Sequence, residues 1–266
     1  MKNNSKTSHQ KHTPKWLQIS DQYLLAIVEH TVATLEERQD INPSYKIPPL
    51  FAAIHLHQAI RASIKSNLMG HHSVAIALLR QCVESLTVIE IGLQKSDLMK
   101  KLIDIWRKDQ GHGKLRKKLQ DERWSSYGTG IWNEPWEEFF GNLALAVQPY
   151  AHYTQYLMGW QYITPPVIEN KNEGESIEFN ATYGLDRIDE LKLCRIQILQ
   201  ALIGWTLARL LEENGMPCPI HGDPLRKWGN EIRSSELFDD KNTNLREHWK
   251  DQLLPFLWFT VDDWQS

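Results

Sequence analysis

The sequence is poor in sulfur and has no long apolar run. Its three cysteines, Cys82, Cys194 and Cys218, stand far apart and are odd in number. Such spacing builds no disulfide framework and fits reduced thiols in a cytoplasmic protein. No uninterrupted apolar stretch approaches the roughly 18 residues that a membrane span needs, so no membrane partner is expected. The first fifteen residues, MKNNSKTSHQKHTPK, are polar and lack the apolar core of a signal peptide. They read as a disordered basic tail, and residues 16–266 read as one helical domain. A formal net charge of −3 gives no chain-wide basic footprint for nucleic acid. The Gly-rich phosphate loop, G-x-S-x-G, H-E-x-x-H and paired C-x-x-C are all missing. Most familiar enzyme classes therefore lack support, and the expectation is no cofactor and no metal.

What the chain does have is helical periodicity and 11 tryptophans. Ser20 and Asp21 offer caps for a helix to about Arg38, with Leu24, Ile27, Val28, Thr31 and Leu35 on one stripe. INPSYKIPP then predicts a break, because proline cannot continue a helix. A second helix is expected from about Leu50 to Leu68, stopping at Gly70. The third, His72 to Leu93, is apolar nearly all round and should be central.

Ser96 caps a fourth helix to about Arg107, and KLRKKLQDER forms a short basic fifth. WSSYGTGIWNEP is a loop. Asn133 and Pro135 mark the next helix, with a kink near Pro149. SIEFNATY alternates enough for a short strand or hairpin. Asp186 begins a long helix to Asn214, stopped by Gly215 and Pro217, and short helices fill the C-terminal fifty residues. The expectation is an all-α bundle of about seven helices with one short non-helical insert.

Four groups of residues are candidates for chemistry. In PYAHYTQYLMGWQY, residues His152, Tyr153, Tyr156 and Trp160 fall within an arc of about 100° on a helix. They form either a packing seam or a pocket wall in which His152 is a donor or base and the rings stack on a ligand. Arg80 and Glu84 are four apart inside an apolar helix. They are either a register-fixing ion pair or an anion-binding arginine with its orienting carboxylate. His57 and Arg61 share a face of the second helix and are further candidate binding residues, whereas His55 and His57 do not share one. Cys218, His221 and Asp223 fall close together in CPIHGD, too few for a zinc site, and read as a Pro-rich turn.

Helix three, SVAIALLRQCVESLTVIEIGL, resembles the central helix of uncharacterised bacterial helical proteins near the HEPN superfamily. The segments WSSYGTGIWNEPWEEF and PYAHYTQYLMGWQ resemble a recurring block in the same proteins. That resemblance implies a helical fold and places the chain near toxin and defence ribonucleases. Their signature is Arg, four to six residues, then His; Arg107 and His112 fit the spacing, with glycine on both sides of the histidine. The leading expectation is a binding or assembly module of a bacterial accessory or defence system. It would use an Arg/Glu/His/Tyr-lined cleft for a protein partner or a second copy as homodimer. The alternative is a metal-independent ribonuclease or toxin acting on RNA, with His152, Arg80 and Glu84 as the catalytic group.

Overall fold

A computed structural model describes residues 13–109, 112–151, 157, 160 and 188–235. The described residues form an all-α bundle. Its helices are α1 (Lys15–Glu37), α2 (Pro43–Leu68), α3 (His72–Leu93), α4 (Ser96–Asp109), α5 (His112–Glu122), α6 (Trp136–Val147), α7 (Glu190–Glu213) and α8 (Asp223–Arg233). Among the described residues there is no strand, only one isolated bridge between Thr129 and Pro135. The predicted SIEFNATY hairpin and most of the predicted tail lie outside the described residues.

α2 and α3 are the principal pair and run antiparallel. Ser63 Oγ near the end of α2 donates to Ala75 O near the start of α3, at 2.9 Å. At the opposite end Pro49 lies against Gly92. Gly70, at φ +79°, makes the reversal between them. From Cys82 to Leu93 every residue of α3 except Glu84 is buried. Its first half has an open edge at Val74 and Gln81. α7 shares the centre, with residues Ile198 to Ala208 buried without a gap. Two tryptophans, Trp136 and Trp205, meet between α6 and α7 at 6.3 Å between ring centroids.

Three predicted boundaries are corrected. α2 begins at Pro43, not Leu50, and Pro48 and Pro49 lie inside it. Asn42 caps its start, accepting from Ser44 N at 2.9 Å, and Pro43 at the first position gives up only an N–H that has no helical acceptor. Pro48 cannot donate to Ser44 O four residues back, and the Arg107 guanidinium donates there instead. α1 begins at Lys15, ahead of the predicted caps. Ser20 sits inside it with its hydroxyl on Trp16 O at 2.7 Å. Burial of Trp16, whose carbonyl also accepts from Trp228 Nε1 at 3.2 Å, holds that first turn in the core. Finally, α6 ends at Val147 and passes into a 3-10 turn at Gln148–Ala151, where a kinked continuous helix was expected. The missing N–H of Pro149 removes the bond to Leu145 O that would have carried α6 onward.

Candidate functional site

α2, α3 and α4 enclose a cleft of about 540 Å³. α2 contributes Ile47, Phe51 and His55 at four-residue intervals, one face of the helix. α3 contributes Glu84, Ser85 and Val88, and α4 contributes Trp106. The walls are mainly apolar. Ile47 and Phe51 are 50% and 64% exposed, high for large apolar side chains on neighbouring helical turns.

Glu84 stands on the rim of this cleft. Its Oε1 accepts from Arg80 Nη2 at 2.6 Å, and the two side chains are 33% and 17% exposed. The pair is half-buried, because the first half of α3 reaches the surface. Behind it stands Arg116 of α5, whose Nε donates to Thr87 Oγ1 at 3.3 Å and whose guanidinium lies 5.8 Å from the Phe140 ring centre. Burial first, then the neighbouring Arg80 charge, push the Arg116 pKa down, against the pull of Glu84. Glu84 thus bonds one guanidinium, that of Arg80, and favours the charge of the other.

His57 does not join this group. It turns toward α1, with Nε2 3.4 Å from Glu29 Oε1, while Arg61 is exposed. His55, two residues earlier, is the histidine that lines the cleft. Trp160 is buried, edge-on to Tyr150 at 6.1 Å, and lines neither described cleft. His152, Tyr153 and Tyr156 lie outside the described residues, as does the His112 side chain. Arg107 is held at the end of α4 by Asp104 at 3.8 Å and by the Tyr45 ring at 5.0 Å. In the CPIHGD turn His221 Nδ1 lies 3.2 Å from Cys218 O. Among the described residues no three His, Cys, Asp or Glu are placed to hold a metal ion. No helix among them is long and apolar enough to cross a membrane.

Sequence reasoning missed Glu90, which is fully buried. Trp124 Nε1 donates to its Oε1 at 2.9 Å. The Tyr127 hydroxyl beside it accepts from Gln94 at 3.1 Å and from Asn214 at 3.2 Å. Burial pushes the Glu90 pKa up to about 8, opposed by Trp124, Tyr127 and Arg123. This network ties α3 to the loop before α6 and to the end of α7. The available sequence signal was an acid on the apolar flank of VIEIGL, four residues before Gln94. Arg116 was hidden in a basic run whose members look alike until the fold turns one of them inward.

A second cleft, about 420 Å³, lies between the Gly128–Asn133 loop, α7 and α8. Its arginines are committed: Arg209 to Glu212 at 2.7 Å and Glu213 at 2.5 Å, Arg226 to Asp223 at 2.6 Å. No protein-family model matches the chain, and neither a curated protein nor a solved structure matches it.

Proposed function

We propose that the chain is a helical binding module that takes an apolar segment of a protein partner into the α2–α3–α4 cleft. One observation carries this reading: Ile47 and Phe51 stand exposed on successive turns at the mouth of an apolar cleft. Exposed apolar surface beside a concave apolar wall is a common mark of a protein-binding site. The four-residue spacing suits a partner helix laid into the groove against Trp106, with Glu84 and His55 as polar groups in its lining. The reading extends the expected accessory or defence module to a particular face of the molecule.

Panning a helix-displaying peptide library against the protein tests it. The enriched peptides should be apolar at helical spacing and should bind the wild type but not Phe51→Glu. Phe51 is mostly exposed, so that variant should keep its melting temperature. Equal binding to both proteins sinks the reading, as does failure to enrich any peptide by a protein that is also monomeric. A monomer–dimer equilibrium abolished by Phe51→Glu would identify a second copy as the partner. The alternative of a metal-independent ribonuclease is read out separately, by cleavage of labelled RNA in chelator.

A further inference from the structure

We propose that the chain's own residues 253–261 occupy the α2–α3–α4 cleft, so that a partner binds there by displacing them. The inference rests on the docking reading of that cleft and names what fills it when no partner does. Residues 253–261 read LLPFLWFTV, an uncharged run with three aromatic rings in the four positions from Phe256 to Phe259. The seventeen residues before it, 236–252, hold five Asp and Glu and three Lys and Arg. Water expels large apolar side chains gathered in this way, and they gain most against a concave apolar surface. One chain thus carries both an apolar run and an apolar cleft whose mouth, at Ile47 and Phe51, is exposed.

Size, reach and charge favour this pairing. The cleft, at about 540 Å³, has room for a few large side chains and offers them Phe51, Val88 and Trp106. The second cleft is a poorer match, with Asn133, Asn230 and two arginines in its lining. Ser235, just past α8, is the last described residue. From there residues 236–252 can span up to about 55 Å, at roughly 3.3 Å per residue. A domain of this size has a radius of gyration of about 17 Å, so every face lies within reach. Asp262 and Asp263 directly follow the apolar run. Beside Trp106, Arg107 and Lys108 are exposed, and residues 95–123 hold ten Lys and Arg against five Asp and Glu. With the run in the cleft, its acidic end can settle on this basic stretch, and complementary charge fixes the orientation. Tethering keeps the local concentration of the segment high, so even weak docking competes with a partner.

The test places the photoreactive ketone p-benzoylphenylalanine at position 51 of the full chain, one exposed aromatic side chain in place of another. After irradiation at low micromolar concentration, peptide mapping should find a cross-link within one chain, on residues 253–261. Trp258→Glu should lose that cross-link. With Phe51 restored, Trp258→Glu should also bind a peptide enriched by panning about tenfold more tightly than wild type, because a filled cleft binds only in proportion to its free fraction. Cross-links that fall elsewhere, that join two chains, or that persist undiminished in Trp258→Glu overturn the proposal. Equal peptide affinity of the two proteins overturns it as well. Should Trp258→Glu not fold, the cross-link map of the parent chain decides alone. The two readings fail separately. A peptide that needs Phe51, with no cross-link to 253–261, sinks this proposal alone; a mapped cross-link with no enriched peptide sinks partner docking and leaves the occupant in place.

Discussion

Pro49 and Gly92 leave no room for a side chain between α2 and α3. A Cβ on Gly92 would meet Pro49 Cβ at 2.3 Å and Pro49 Cγ at 2.8 Å. The proline ring cannot swing aside, and Leu35 Cδ2 blocks the other flank at 3.0 Å. Gly92→Ala should therefore destabilise despite the better helix propensity of alanine. That propensity is worth about 1 kcal/mol, whereas overpacking a tight core costs about 1–3 kcal/mol. Chemical denaturation should show a lower midpoint; a higher one would mean that the two helices part easily.

Glu90 should make stability fall as pH rises. Its folded pKa, about 8, stands above the ordinary 4.5 of the free side chain. Between those values the folded state holds the proton and the unfolded state does not, so stability declines with pH across that window and levels off above it. The slope should be on the order of 1 kcal/mol per pH unit. Glu90→Gln, neutral throughout and still able to accept from Trp124, should flatten the slope and raise the melting temperature at pH 8. Denaturation of both proteins at pH 5 and pH 8 measures this. An unchanged slope would mean that Glu90 is ionised in the fold.

Glu84→Gln should cost more than Arg80→Met. Removing the carboxylate leaves two guanidiniums without a counter-charge; removing Arg80 leaves Glu84 with Arg116 nearby. The pair is half-buried, so the Arg80 loss should stay near 1 kcal/mol or below, and the Glu84 loss should exceed it. The reverse order in thermal melts would place Arg116 too far away to take over.

His72 should remain neutral at pH 5. It is buried, with Nδ1 2.7 Å from Asn67 Oδ1, and burial lowers its pKa to about 4, with Lys192 and His71 acting in the same direction and Asp189 against them. The unfolded chain takes up a proton near pH 6.5, so this contribution is full above that value and is lost as pH falls toward 4. Imidazole NMR titration should show no midpoint for His72 above pH 5. A midpoint near 6.5 would mean that the ring is solvated.

The all-α class, the bounds of α3 and the stop at Gly70 were legible in the sequence, because period and breaker residues act locally. So was the partnership of Arg80 with Glu84, since four residues along a helix bring two side chains together whatever the rest of the chain does. The prolines of α2 were misread for the same reason. Local rules count the bonds that Pro48 and Pro49 lose, but not the contact with Gly92 or the Arg107 bond to Ser44 O. Which histidine faces the cleft, His55 or His57, depends on how α2 is rotated against α1 and α3. Only tertiary packing sets that angle, as it sets the inward turn of Arg116 and the burial of Glu90. Sequence thus determined the helical class, the central helix and its nearest-turn pair Arg80–Glu84. The groups joined across helices were decided by the fold, because their neighbours are distant in the chain and meet only when the apolar faces close.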